Sequence, residues 1–300
     1  MTQDLFNEQV WEQAWKEDPQ AMGNKMKRAG VDFTRSFDHK AKAFNEEVFS
    51  ESGRRRAERI AHWIEGQGVN FDGISVLDVG AASGGFSVPF AQRGASVTAI
   101  EPCMPLVELL EANTAEFNRN QVRVSIVPQA FEDIDVANRG WEQAFDLVFV
   151  SMCPTIIDWD SVERVLNCAN RFCYISLPAG GTQHSLVNEV LPLLPGQKRG
   201  VDASDMAYLL HLLYLKGYAY ESIVTREMKT TELSTEDAIK EVMAMLPNYH
   251  SVPGEASRKI ISDYVHRTYG DGLVTISQGG RFGKVLIRLK EQNMYSRVKV

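Results

Sequence analysis

Two carboxylates flank a bend of small residues in this 300-residue chain, and their spacing is that of a ligand site. Asp78 stands two residues before Gly80-Ala81-Ala82-Ser83-Gly84-Gly85, and Glu101 follows the bend by about twenty residues. Small residues let the backbone turn sharply and come close to a ligand. A carboxylate in the place of Glu101 can accept hydrogen bonds from two ribose hydroxyls. Gly80, Ala82 and Gly85 fit the dinucleotide fingerprint G-x-G-x-x-G/A incompletely, because its second glycine, the one that admits a pyrophosphate, is missing. Asp78 beside the bend would also repel a pyrophosphate. The pattern suits a ligand with cationic groups.

The elements that must position these residues alternate. Apolar, β-branched runs predict strands over 74–79, 96–100, 122–127, 145–150 and 172–177, with helices over 87–93, 105–118 and 161–169 between them. Such alternation implies a parallel sheet covered on both faces, which binds ligands at the carboxyl ends of its strands. Gly80, Glu101, Gln129 and Ser151 all fall at such ends. Residues 1–70 read as a helical cap. Phe6, Val10, Trp11, Ala14 and Trp15 recur at helical spacing up to Pro19, and further helices are expected over 38–49 and 52–65. Arg54-Arg55-Arg56, near Glu51 and Glu58, reads as a solvated helix face. After a Pro/Gly-punctuated stretch over 177–200, a helix over 203–216, a long strand over 218–233 and helices over 235–245 and 255–267 are expected, with a break over 247–253. Runs 273–276 and 284–289 around Gln278-Gly279-Gly280 read as a closing hairpin.

S-adenosylmethionine carries an ammonium, a sulfonium and no phosphate, and here the chain resembles the class I S-adenosylmethionine-dependent methyltransferases. The resemblance covers about residues 55–180. It rests on Asp78-Val79-Gly80, the Gly80–Gly85 bend, Glu101 and Phe145-Asp146-Leu147-Val148-Phe149-Val150. It implies a doubly wound, mostly parallel, seven-stranded Rossmann-like sheet, closed by an antiparallel strand near 285–289, with a helical insertion near the C-terminus. It implies S-adenosylmethionine as cofactor, bound by Asp78, Gly80, Ala81, Ala82, Gly84, Glu101 and Pro102, with the Gly80 region on the methionine part and Glu101 on the ribose. Ala130 and Phe131, within Gln129-Ala130-Phe131-Glu132, fall where the family contacts adenine, and Ser151 lies at the same rim. The expected organisation is a cap over 1–70, a cofactor-binding core over 71–182, and over 183–300 the rest of the sheet with a substrate-covering insertion.

Methyl transfer from a sulfonium is an in-line displacement, so the protein mainly aligns and desolvates the nucleophile. Ser151-Met152-Cys153-Pro154 lacks the Asn/Asp-Pro-Pro-Tyr motif used on planar amino groups. Ser151 can orient a substrate. His184, after the fifth strand, and His39, in the cap, are candidate general bases, because a neutral imidazole accepts a proton near pH 7. Asp158 and Trp159 can shape a pocket or start a helix with a packed indole. Cys103 and Cys153 follow strands near the ligand end and read as small filler or as site thiols. Cys168 and Cys173 read as core. No cysteine spacing is that of a zinc site, and no metal is expected.

A formal net charge of −7 disfavours a polyanionic partner, and no apolar run is long enough to span a membrane. The polar N-terminus is not that of a secretory signal, so a cytoplasmic enzyme acting on a small molecule, with a homodimer as one open assembly, is the leading reading. The ribose 2′-O-methyltransferases of RNA of the FtsJ type are similar around the bend. They end the fourth strand in Asp-Met-Ala-Pro where this chain has Ser151-Met152-Cys153-Pro154, and they carry a lysine after the fifth strand that is missing here. A non-catalytic cofactor-binding module and a dinucleotide oxidoreductase complete the alternatives.

Overall fold

The computed structural model describes residues 4–30, 32, 34–35, 37–119, 124–194, 205–246 and 254–290. They fall into two compact units, one of residues 1–177, 205–223 and 284–300, the other of residues 178–204 and 224–283. In chain order the elements are α1 (Glu8–Glu17), α2 (Met22–Ala29), α3 (Ala41–Val48), α4 (Glu51–Gly66), β1 (Ser75–Val79), α5 (Ser87–Gln92), β2 (Ser96–Ile100), α6 (Met104–Arg119) and β3 (Val124–Val127). Then come β4 (Phe145–Ser151), α7 (Trp159–Cys168), β5 (Ala169–Pro178), β6 (Gln183–His184), α8 (Ser185–Val190), α9 (Asp205–Leu215), β7 (Ala219–Ser234), α10 (Thr235–Met245), α11 (Glu255–Tyr269) and β8 (Leu273–Arg288).

The sheet is mostly parallel and Rossmann-like with flanking helices, in the order β3-β2-β1-β4-β5-β8, with β7 paired to β8; the first unit holds β1 to β5 up to residue 177, residues 219–223 of β7 and residues 284–288 of β8. Within the second unit the two-residue β6 pairs with residues 278–279 of β8. Val79 lies opposite Ile100 of β2 and Val150 of β4, and Ile100 lies opposite Val127 of β3. That register brings the residues just past each strand, Gly80, Glu101 and Ser151, to one edge. The closing strand is antiparallel. Arg171 O accepts from Leu289 N–H at 2.9 Å and Ala179 N–H donates to Arg281 O at 2.8 Å, so partner numbers fall along it. Both faces of the central strands are covered, and Val76, Leu77, Leu147 and Phe149 are fully buried. Phe149 stacks on Tyr174 at 4.5 Å and meets Phe90 edge-on at 4.9 Å. Each such ring contributes roughly 1.5–3 kcal/mol by burial alone.

The N-terminal helices belong to this unit. Ser50 caps α4 by accepting from Gly53 N–H at 3.2 Å, and α4 buries Ala57, Ile60, Ala61 and Ile64. Trp15 of α1 donates from Nε1 to Asp205 of α9 at 2.8 Å and stacks on Tyr208. Lys216 binds Glu8 and Glu12 at 2.8 and 2.7 Å and lies over the Trp159 ring. The second unit packs α8, α10 and α11 around Val187, Val190, Ile239, Val242, Ile261 and Val265. Ser234 caps α10 by accepting from Asp237 N–H.

Several expectations change. Residues 278–280 do not turn. β8 runs straight through them and pairs Gly279 with Gln183 of β6. Gly279 has φ 155°, and a Cβ there would strike Glu227 O of β7, so glycine serves a close backbone approach. The hairpin arms are instead β7 and β8, and the helical insertion between them is α10 and α11. Helix α2 was not expected. Its three apolar residues, Met22, Met26 and Ala29, stand at helical spacing in a short polar run, and it ends on Gly30 at φ 61°. Helix α3 starts at Ala41, later than expected, and α8 forms inside the Pro/Gly-punctuated stretch. The expected start of the third strand at Val122, the rest of that stretch beyond Leu194, the start of the helix at Ala203 and the break over 247–253 lie outside the described residues.

Candidate functional site

Strand β1 delivers Asp78 and then breaks at Gly80, which has φ 75°. The N–H groups of Gly80 and Ala81 both donate to Ile100 O, at 3.0 and 2.9 Å, so the bend is pinned to β2. A Cβ on Gly80 would strike Cys153 Sγ. A Cβ on Gly85 would lie 2.5 Å from Val48 Cγ1, and one on Gly84 2.8 Å from Leu110 Cδ1. Ala82 takes φ 50° and Met152, past β4, takes φ 52°. A left-handed non-glycine residue costs about 1–2 kcal/mol, and such strain collects where a ligand must be met.

These segments enclose a cavity of about 510 Å³ within the first unit. Its floor is Gly80, Ala81, Ala82, Gly85, Glu101, Pro102, Ala130, Phe131, Glu132 and the 151–155 loop. Its roof comes from the N-terminal segment: Asp32, Thr34, Phe37, Phe44, Val48, Gly53, Arg56 and Ala57. The volume is in the range of small-molecule sites, and the walls are largely apolar with a few polar groups.

Glu101 is buried, with one carboxylate oxygen accepting from Cys103 N–H at 2.8 Å and the other from Ala82 N–H at 2.9 Å. Burial pushes its carboxyl up, and the two N–H donors pull it back. Each oxygen keeps a second lone pair for a ligand hydroxyl. Asp78 is 2% exposed and accepts from Ser87 Oγ at 2.6 Å. Burial raises its carboxyl to about 7, against the pull of Ser87. Glu132 accepts from Thr155 Oγ1 at 2.8 Å. Ser151 and Ser176 share a hydroxyl–hydroxyl bond of 3.1 Å at the ends of β4 and β5. Among the described residues no three His, Cys, Asp or Glu side chains are grouped to hold a metal ion.

Of the residues singled out from sequence, the structure brings Gly80, Ala81, Ala82, Glu101, Pro102, Ala130, Phe131 and Ser151 to this cavity. Asp78 and Gly84 lie outside its wall, behind the bend. Gln129 is also outside it and donates from its side chain to Asp133 O. His39 is exposed and does not line the cavity. His184 belongs to the second unit, is fully buried, and accepts from Val187 N–H at 3.2 Å to cap α8. Asp158 caps α7 in a reciprocal pair with Ser161, and Trp159 is buried, so both are structural. Cys153 lines the cavity under Gly80, but burial pushes its thiol up to about 11. Cys103 is buried and its thiol is raised as well, so both are filler. The sequence reading missed Asp32, Thr34 and Arg56. Arg55 pairs with Glu51, and Glu58 pairs with Arg93 at 2.7 Å, so Arg56 alone of its run reaches the cavity. The available signal was its phase, one residue before the buried Ala57.

A parallel sheet with a small-residue bend after β1 and a carboxylate after β2 defines a nucleoside-binding α/β protein, and the cradle fits S-adenosylmethionine. Gly80, Ala81, Ala82 and Gly85 line the cavity with small residues, and Glu101 has lone pairs for the ribose. Residues 76–174 match the model of the methyltransferase domain family. Residues 76–174 therefore form a methyltransferase domain, and its cradle suits S-adenosylmethionine as cofactor. No curated protein matches it significantly. Among solved structures it is similar to phosphoethanolamine N-methyltransferase 2 of Haemonchus contortus in complex with S-adenosyl-L-methionine. That likeness has 14% identity over 87% of this chain and 60% of the other, with a TM-score of 0.49. It is also similar to magnesium protoporphyrin IX methyltransferase of Synechocystis PCC 6803 with bound SAH. There the identity is 15% over 73% of this chain and 92% of the other, with a TM-score of 0.43.

Proposed function

We propose that this protein methylates a small-molecule acceptor by in-line transfer inside the covered cavity. The observation that carries this reading is the roof: Phe37, Phe44, Val48 and Arg56 close the cavity from the same unit that holds Glu101 and Gly80. A small, partly covered space with aromatic walls limits water and suits a small acceptor better than a polymer backbone. The net charge of −7 and Ser151 at the end of β4 also speak against RNA.

When bound, the cofactor supplies a methyl group activated by a sulfonium. The chain's own residues would do the rest. Glu101 accepts from the ribose hydroxyls, and Ala130 and Phe131 flank the adenine. Gly80 and Gly85 line the place of the methionine part. Ser151, oriented by Ser176, turns a lone pair or a proton toward the acceptor. This geometry contributes mainly alignment, which in favourable cases is worth roughly 7–11 kcal/mol of barrier. The four cysteines are unpaired, which fits a reducing cytoplasm. Among the described residues no helix is long and apolar enough to cross a membrane.

The test is transfer of labelled methyl to fractionated extract. Label in the small-molecule fraction supports the reading. Cofactor binding with label only in RNA or protein rejects it.

A further inference from the structure

We propose that the amino-acid end of the cofactor is gripped by the N-terminal segment, with Arg56 holding its carboxylate and Asp32 its ammonium, instead of by Asp78 at the strand end. The inference rests on the function proposed above. The cavity has one cationic side chain, Arg56, and three carboxylates, Asp32, Glu101 and Glu132. Two of those carboxylates have other duties. Glu101 takes two backbone N–H groups beside the ribose position, and Glu132 takes the Thr155 hydroxyl. Asp78 is 2% exposed, lies outside the wall and is bonded to Ser87. A carboxyl held near 7 by burial is also a poor counterion at neutral pH.

Arg56 has no hydrogen bond or ion pair among the described residues, so its planar fork of donors is unspent. It sits on α4 between Gly53 and Ala57, and all three line the cavity along with Gly85 and Phe86. Helix α4 packs on α5, which opens just past the glycine bend, so Arg56 is brought to the methionine side. Asp32 accepts from Thr34 N–H at 3.0 Å and Thr34 Oγ1 at 2.7 Å, and these bonds hold its carboxyl below the usual range. A permanent anion and a permanent cation in one wall match a zwitterion. Cofactor binding would then tie the N-terminal segment to the glycine bend.

The test compares S-adenosylhomocysteine with 5′-methylthioadenosine, which keeps adenine, ribose and thioether but lacks the amino-acid tail. Dissociation constants are measured by calorimetry for the full chain, Arg56→Met and Asp32→Asn. Both side chains are exposed, and unchanged melting temperatures confirm folding. Arg56→Met is expected to weaken S-adenosylhomocysteine about 10- to 100-fold, the worth of a charged hydrogen bond, and 5′-methylthioadenosine less than about 2-fold. Asp32→Asn moves the same ratio in the same direction, and Arg56→Lys restores part of it. The proposal is overturned if both variants keep the wild-type ratio, including the case in which Arg56→Met disturbs only the KM of an acceptor. If the unaltered protein binds neither nucleoside, the cofactor reading itself has failed, a distinct result that removes this inference with it.

Discussion

Replacing Glu101 by glutamine is the sharpest test of how the bend is held. Each oxygen of Glu101 accepts one backbone N–H, from Cys103 at 2.8 Å and from Ala82 at 2.9 Å. An amide keeps one oxygen and presents an NH2 group to the other donor. One charge-assisted bond is lost outright, and the facing N–H is left without an acceptor in a site that is 6% exposed. Bonds to charged groups are worth about 1.5–3 kcal/mol, so Glu101→Gln is expected to lower folding stability by that amount. The same amide turns a donor toward a ribose hydroxyl. A second loss of about 1.5–3 kcal/mol in binding corresponds to roughly 10- to 100-fold in affinity. Urea unfolding gives the first number, and titration with S-adenosylhomocysteine gives the second. Glu101→Asp keeps the charge but shortens the reach, and should fall between wild type and the amide in both. A Glu101→Gln protein that binds S-adenosylhomocysteine within a factor of two of wild type would falsify the assignment of Glu101 to the ribose. Loss of binding without loss of stability would instead show that the bend holds its shape without the carboxylate.

Asp78 makes stability pH-dependent. Its carboxyl is raised from 3.8 to about 7 by burial, so the folded protein keeps a proton that the unfolded chain gives up. The group's contribution is full below about pH 4 and is lost as pH rises through 7, by at most about 4 kcal/mol. Asp78→Asn keeps the shape and an acceptor for Ser87. Its urea midpoint should fall less than the wild-type midpoint between pH 5 and 8, and parallel profiles would contradict the burial argument. Gly80→Ala should destabilise the fold by about 1–2 kcal/mol from its positive φ alone, with more from the clash with Cys153 Sγ. Adding Cys153→Ala should recover the clash but not the φ cost, and thermal melts of the single and double variants separate the two. The thiols of Cys153 and Cys168 are pushed up to about 11, and those of Cys103 and Cys173 are raised too. The native protein should therefore resist iodoacetamide at pH 8, and rapid labelling of any of the four before unfolding would count against that.

The floor of the site was legible because it is local in sequence. Strand runs, a bend of small residues and a carboxylate at a strand end lie within about 30 residues of one another, and the parallel register brings them to one edge with no further information. The roof was not legible. Asp32 and Arg56 reach the cavity only because α3 and α4 fold back over the sheet, and nothing in a run of three arginines says which one faces inward. Phase against Ala57 was the one clue. Asp78 shows the same limit of nearness along the chain. Sequence puts it two residues before the bend, but its bond to Ser87, nine residues on, and its burial come only from the fold. Gly279 and Gly280 carried an ambiguity that sequence does not resolve, since glycine marks a turn and a close strand approach equally well.

Floor and roof are also held by bonds of different kinds. On the floor, the strained residues Ala82 and Met152 sit beside backbone hydrogen bonds that extend the sheet ladder, from Gly80 and Ala81 to Ile100 O and from Met152 to Ser176 O at 3.0 Å. Moving them means breaking ladder bonds between buried strands, which the core resists. The roof near Phe37 and Phe44 is tied differently. Asn45 and Asn113 share one bond of 2.9 Å, Cys103 Sγ lies 3.8 Å from an Asp38 oxygen, and Ala41 packs on Cys103 and Leu106. Those are side-chain contacts, worth less and partly replaceable by water. Of the two walls that line the cavity, the roof costs less to displace. That is also the wall that carries Asp32. A cofactor that engages this residue strengthens the weaker of the two walls at the moment when water must be kept from the acceptor.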